Sequence, residues 1–157
     1  MSEQYFERIR SSLAGVTTGS SVAHGILVLE ADAASIATIV QMLKESFGCD
    51  MFLDVTATDW PNREPRFDVV WHFYSTREFV RVRLKTRVGA TDPTVDSLVA
   101  LYGSARCMER ECHEMYGIVF RGNPDLRPLL LYEGFVGHPL RNDYPKHHEQ
   151  PLVPYRR

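Results

Sequence analysis

Two stretches of this chain concentrate groups able to move protons. "MERECHEMYG", residues 108–117, carries Glu109, Glu111, His113 and Glu114, and "GHPLRNDYP", residues 137–145, carries His138, Arg141, Asp143 and Tyr144 between Pro139 and Pro145. Paired carboxylates, or a histidine with a carboxylate, can act as general acid and base when they converge on one substrate. On a helix, Glu109 and Glu111 flank an apolar stripe of Ala105, Met108, Cys112 and Met115 from opposite sides. Positions about 160° apart around the axis make a shared substrate awkward. The spacing favours a core-facing stripe whose charged rims anchor neighbouring loops through hydrogen bonds. In the second stretch the two prolines fix φ and remove two backbone donors, so the segment is stiff and extended. Such a strip loses little entropy on docking and presents its polar groups to fixed partners.

Other chemistries find little support. Cys49, Cys107 and Cys112 are an odd set without CxxC spacing. Cys107 and Cys112 point about 140° apart on a helix, which does not suit one metal ion. The odd count also argues against a disulfide framework and predicts a reducing compartment. No GxGxxG, GxxxxGK(S/T) or GxSxG pattern occurs, and the histidines at 24, 72, 113, 138, 147 and 148 are scattered. The row Arg81, Arg83, Lys85, Arg87 is the basis of one alternative, a stand-alone nucleic-acid-binding module. Only Phe79 adds an aromatic to that face, and the formal net charge is −2. A solvated or partner-facing sheet surface is the commoner meaning of such a row.

The elements that must position these groups follow from periodicity. Gln4–Leu13 reads as a helix with Tyr5, Phe6, Ile9 and Leu13 on one side. Gly15–Ser21 reads as a loop, and "HGILVLEA" as a strand. Asp32 is placed to cap a helix running to Phe47 and ended by Gly48. "MFLDVTATDW", "FDVVWHFYS" and "EFVRVRLKTRV" read as strands, the first two joined by the turn "PNREP". In the last of them Val80, Val82, Leu84 and Val88 alternate with the basic row, which predicts a sheet with one buried face and antiparallel pairing. From Val95 the pattern turns helical through Leu98, Val99 and Tyr102 into "SARCMERECHEMYG". Beyond residue 121 the periodicity fades, and residues 122–157 hold prolines at 124, 128, 139, 145, 151 and 154. The reading is a core domain over 1–121 and an extended segment over 122–157 that lies across something else. No run approaches the ~20 apolar residues of a membrane span, and "MSEQYFERIR" lacks the apolar stretch of a signal peptide.

The segment from Glu109 to Pro145 closely resembles the signature of the 30 kDa subunit of bacterial NADH:quinone oxidoreductase (complex I). Glu109-Arg110-Glu111, Tyr116-Gly117-Ile118, Gly122, Pro124-Asp125-Leu126-Arg127 and Gly137-His138-Pro139-Leu140-Arg141-Asn142-Asp143-Tyr144-Pro145 fill its places in order. "DVTATDWPNREPRFDVVWHFYS" and "RVRLK" are similar to the family's central strands, so the resemblance spans roughly residues 50–145. Departures fall at His113 (often Trp), Glu114 (usually Asp), Asn123 (His), Pro128 (a basic residue) and Asn142 (Lys). A histidine at 113 looks more like membrane-bound NiFe hydrogenases, so a component of a hydrogenase-type complex is the other alternative.

The resemblance implies an α+β fold: two layers, a mixed and mostly antiparallel sheet packed with helices, plus an extended proline-rich C-terminal tail. It implies no catalytic, cofactor or metal site in this chain, with FMN, Fe–S clusters and quinone held by other subunits of the complex. The implied partners are the large quinone-site subunit and neighbouring Fe–S subunits of the peripheral arm, on the cytoplasmic side of the bacterial inner membrane. The signature residues, Glu109 to Pro145, would then form the partner interface.

Overall fold

The computed structural model of the protein describes residues 2–147; the end of the expected tail, with His148, Pro151 and Pro154, lies outside the described residues. The chain runs α1 (Ser2–Leu13), β1 (Gly19–Ala23), β2 (Ile26–Glu30), a 3-10 turn (Ala33–Ser35) entering α2 (Ile36–Glu45), β3 (Met51–Asp59), β4 (Phe67–Ser75), β5 (Val80–Val88), β6 (Thr94–Asp96), α3 (Ala105–Tyr116) and β7 (Val119–Arg121).

Five strands form one sheet in the order β1-β2-β5-β4-β3, and β6 pairs with β7 in a small separate sheet. Pairing in the large sheet is antiparallel except between β2 and β5, whose parallel register is bridged by the chain through α2, β3 and β4. The fold is therefore α+β, with a mixed and mostly antiparallel sheet. The alternation in β5 buries Val80, Val82, Leu84 and Val88, as their period of two requires. They join Leu27 and Leu29 of β2, Val69, Trp71 and Phe73 of β4, and the inner faces of α1 and α2 in one apolar cluster. Trimming a fully buried member such as Leu84 to alanine costs about 2–5 kcal/mol.

The structure corrects the expected elements in four places. Gly15–Ser21 is not all loop, because β1 starts at Gly19 and pairs with β2 as an edge strand. The helix expected from Asp32 to Phe47 opens with the 3-10 turn and ends at Glu45, and the Asp32 side chain makes no capping hydrogen bond. Gly48 follows with φ of 65°, and the Cys49 N–H closes the end onto the Leu43 carbonyl at 2.9 Å. Val95 sits in β6, so the helical reading from Val95 to Tyr102 fails; the parallel pairing with Phe120 is non-local and overrides local spacing. Finally, Glu109 is not at the rim of α3 but inside it, with 0% exposure.

Contacts before and after α3 define where the helix begins and stops. Tyr102 donates its hydroxyl to the Cys49 carbonyl at 2.5 Å and stacks on Phe52 with 5.6 Å between centroids. At the other end Gly117 takes a left-handed φ of 77°, and its N–H caps the helix on the His113 carbonyl at 2.7 Å.

Candidate functional site

The signature residues converge on α3, whose polar side chains organise the segment that follows. Glu109 accepts hydrogen bonds from Ser97 Oγ (2.6 Å), the Leu98 N–H (2.7 Å) and Asn123 Nδ2 (2.9 Å). Burial pushes its carboxyl above the usual range, and the three donors oppose that rise. Arg110 donates to the carbonyls of Arg127 (2.9 Å) and Pro128 (2.8 Å), with Asp125 3.4 Å away. Asp125 in turn takes both ends of the Arg127 fork, which holds its carboxyl well below the carboxylate range. Glu114 accepts three consecutive backbone N–H groups, from Leu129 (3.1 Å), Leu130 (2.9 Å) and Leu131 (2.8 Å). Of the three glutamates on this helix, Glu111 alone is exposed. Successive turns of one helix thus hold residues 97–98, 123–128 and 129–131.

The stretch "GHPLRNDYP" closes over the C-terminal end of the same helix. The last carbonyls of a helix lack internal partners, and here the strap supplies them. His138 Nδ1–H donates to the Glu114 carbonyl at 2.9 Å, the Leu140 N–H to Met115 at 3.1 Å, and Arg141 Nε to Tyr116 at 2.5 Å. A cation there also complements the helix dipole. His113 Nδ1–H serves the Ile118 carbonyl at 2.8 Å, and its ring lies edge-on to that of His138. A Cβ on Gly117 would meet His138 Nε2 at 2.7 Å and the Arg141 guanidinium closer still, so glycine is needed for space as well as for φ. Beyond Arg141, the Asn142 N–H reaches Asp59 Oδ2 at 2.7 Å, and its side-chain amide donates to the Asp59 carbonyl at 2.8 Å. Asp59 also receives both ends of the Arg66 fork, at 2.6 and 2.8 Å, and Arg66 reaches on to Asp143 at 2.9 Å. That guanidinium holds both carboxyls below their usual range. Tyr144 stacks on Phe135, and its ring packs against Gly137.

In this arrangement, which forms a strap over α3, most of the polar groups are committed to one another. Each imidazole uses Nδ1–H on a backbone carbonyl, Arg141 is committed to Tyr116, and Asp143 to Arg66. Glu109 faces inward and Glu111 outward, so the two carboxylates share no space. A cleft of about 130 Å³ between α3 and the strap is lined by His113, Glu114, Leu131, Phe135 and His138. Among the described residues no cluster of three or more His, Cys, Asp or Glu side chains could hold a metal. Cys49 and Cys112 are buried, with thiols pushed up by burial, while Cys107 is exposed. Asp59, Arg66 and Ser97 are site residues that the sequence did not single out, and Asn123 and Asn142 stood out there only as departures from the signature. No local signal marks them, since their bonds join distant parts of the chain. The departures at 113, 114, 123 and 142 each hold one of these contacts.

Among the side chains that this segment leaves outward, several are apolar. Leu130 is 62% exposed, Val136 72% and Leu140 53%, with Leu129 beside them. No helix among the described residues is long and apolar enough to cross a membrane.

The model of the family described as "Respiratory-chain NADH dehydrogenase, 30 Kd subunit" matches residues 29–150. The C-subunit of the NADH-quinone oxidoreductase of Xanthobacter autotrophicus (strain Py2) is 43% identical over 139 residues, which is 87% of this chain and 66% of that protein. The protein of the same name from Rhodopseudomonas palustris (strain BisB18) is 42% identical over 141 residues, 88% of this chain and 70% of the relative. The chain therefore spans about two thirds of the length of these relatives. Among solved structures, a trypsin-resistant fragment of Nqo5 superposes with a TM-score of 0.68 at 26% identity, covering 80% of this chain and all of that one. A chain of a membrane-bound sulfane sulfur reductase, an archaeal respiratory membrane complex, shares the fold with a TM-score of 0.74 at 24% identity, over 84% of this chain and 78% of that one. The chain belongs to the family of the 30 kDa subunit of the respiratory-chain NADH dehydrogenase.

Proposed function

We propose that this chain is a non-catalytic structural subunit in the peripheral arm of a proton-translocating NADH:quinone oxidoreductase. It supports the large quinone-site subunit while electrons pass from NADH to quinone, and it also meets neighbouring Fe–S subunits of the arm. FMN, Fe–S clusters and quinone belong to those other subunits, and the assembly lies on the cytoplasmic side of the bacterial inner membrane. A core over residues 1–121 carries the fold, and residues 122–157 dock on the partner.

One observation carries this reading. Several polar groups of the tail bond to α3, Asp59 and Arg66 and hold the segment in place, while Leu130, Val136 and Leu140 stay exposed on it. Pre-ordered apolar side chains gain affinity because little entropy remains to be lost on binding. The relatives are named as components of NADH-quinone oxidoreductase, which favours this assembly over a hydrogenase-type complex. Nothing favours a nucleic-acid module.

The test is co-purification of the large quinone-site subunit with the tagged full chain. Leu130→Glu, Val136→Glu and Leu140→Glu combined are expected to leave the melting temperature of the chain unchanged and to abolish co-purification. Undiminished recovery of the large partner refutes the proposal. Deleting residues 137–157 also abolishes co-purification, with a domain that stays folded but is less stable, because the α3 carbonyls and Asp59 then lose their donors.

A further inference from the structure

The outer face of the large sheet carries cations that the fold does not use. Lys85 and Arg87 lie within 4 Å of carboxylates: Lys85 is 3.8 Å from Asp68, and Arg87 is 3.8 Å from Asp68 and 3.7 Å from Glu30. Arg81 and Arg83 have no such partner among the described residues, and Arg83 Nε is buried without any acceptor. Two guanidinium groups without a carboxylate partner in the chain are open to an acceptor from outside it.

The cross-strand register shows what surrounds the two arginines. One row runs Val28, Arg83, His72, Asp54, and the next runs Ile26, Arg81, Tyr74, Met51. Val28 is buried beneath the cationic side chains, and Met51 is exposed. Beyond Arg81 the β4–β5 turn ends in Phe79, which is 79% exposed and held at φ of 55°. A bulky residue in the left-handed region is a strained position that needs a reason. Arginine beside tyrosine, methionine and an exposed aromatic is the composition of a protein interface core.

We propose that this face, centred on Arg81 and Arg83, docks an extended acidic segment of another protein, with carboxylates at alternate positions. The two arginines are separated by about 6.6 Å along the strand, which is the spacing of every second side chain on an extended peptide. A segment lying along β5 then places one carboxylate on each guanidinium and an apolar residue against Tyr74 or Phe79. Charge decides against nucleic acid. Among the described residues, the β5 row leaves two cations without a carboxylate, and Asp54, Asp68 and Glu30 bound the patch, whereas tight binding of a polynucleotide neutralises on the order of 6–10 phosphates. This docking face is on the sheet and does not depend on the role of the tail.

His72 is the built-in reporter. Burial, then Arg83 and Arg81, hold its imidazole below the ordinary value, and Asp54 opposes them. A bound carboxylate offsets the arginines and raises it. The experiment titrates His72 by NMR in the full chain at low salt, alone and with an end-blocked octapeptide alternating Glu and Thr, a twelve-residue oligothymidylate, or inorganic phosphate. The peptide is expected to saturate, raise the His72 pKa, and bind at least tenfold tighter than either other probe. Arg81→Gln with Arg83→Gln is expected to weaken it at least tenfold, and Arg81→Lys with Arg83→Lys less, because lysine keeps charge but not the fork. Peptide without effect on His72 overturns the proposal, as does equal or tighter binding of oligothymidylate or phosphate. That comparison uses the unaltered chain and holds even if the glutamine pair folds poorly.

Discussion

Replacing Glu114 by glutamine isolates what one carboxylate does for the tail. Its Oε1 accepts from the Leu129 and Leu131 N–H groups and its Oε2 from Leu130. Backbone N–H groups cannot reverse, so the amide of glutamine must set a donor against at least one of them. The least costly rotamer gives up Leu130, a charge-assisted bond worth about 1.5–3 kcal/mol, and leaves the other two neutral and weaker by roughly 0.5–1 kcal/mol each. The sum is about 3 kcal/mol. The loss falls on local opening of residues 129–131 and not on the sheet, so global unfolding is a poor probe. Native-state amide exchange at Leu129, Leu130 and Leu131 is the right assay, and protection is expected to fall on the order of 100-fold, with amides of β4 and β5 unchanged. Aspartate at 114, one methylene shorter, is expected to fall between the two. A change below about threefold (less than ~1 kcal/mol) refutes the reasoning, because the carboxylate would then hold nothing that water does not.

Three further outcomes follow from the same geometry. Gly117→Ala forces a side chain into a left-handed position and against His138 and Arg141; a cost of about 2–3 kcal/mol lowers the melting temperature by roughly 5–10 °C. Asp59→Asn removes charge from a carboxylate that receives Arg66 twice and the Asn142 N–H, and urea titration is expected to show a loss of about 2–3 kcal/mol. His138 is lowered first by burial and then by Arg141 and His113, with the Glu114 carbonyl opposing. Its neutral form is the one the fold accepts, so its contribution is fully present above the ordinary histidine value of about 6.5 and is lost as pH falls through the lower folded value. Urea titrations at falling pH are expected to show a shallower decline for His138→Gln than for the parent chain. Glu109, raised by burial, acts with the opposite sign above its ordinary value and cancels in that comparison.

Much of the sheet was legible because period-two burial is a local property. β4 and β5 end within a residue or two of the expected bounds, and α1 buries the side chains its spacing selects. β1 was not legible: Gly19, Ser20 and Ser21 are poor strand formers, and the strand exists through its pairing with Ile26–Glu30. β6 depends on Phe120, equally invisible to a local window. Glu109 shows the limit for the site. A helical wheel sends glutamate outward, yet this one is inside because Ser97, Leu98 and Asn123 bring three donors to it. Resemblance marked His138, Arg141 and Asp143 as partner-interface residues and gave no sign of their contacts within the chain. Their contacts in the structure are with α3 and Arg66 of the same chain.

The most direct measurement of the central claim is the environment of those apolar side chains in the intact assembly purified with this chain in place. A cryo-EM map of that complex is predicted to show Leu130, Val136 and Leu140 buried against the quinone-site subunit, with the strap from His138 to Asn142 still bonded to α3 and Asp59. A map in which those three side chains face solvent, or in which the partner sits elsewhere on the chain, contradicts the account.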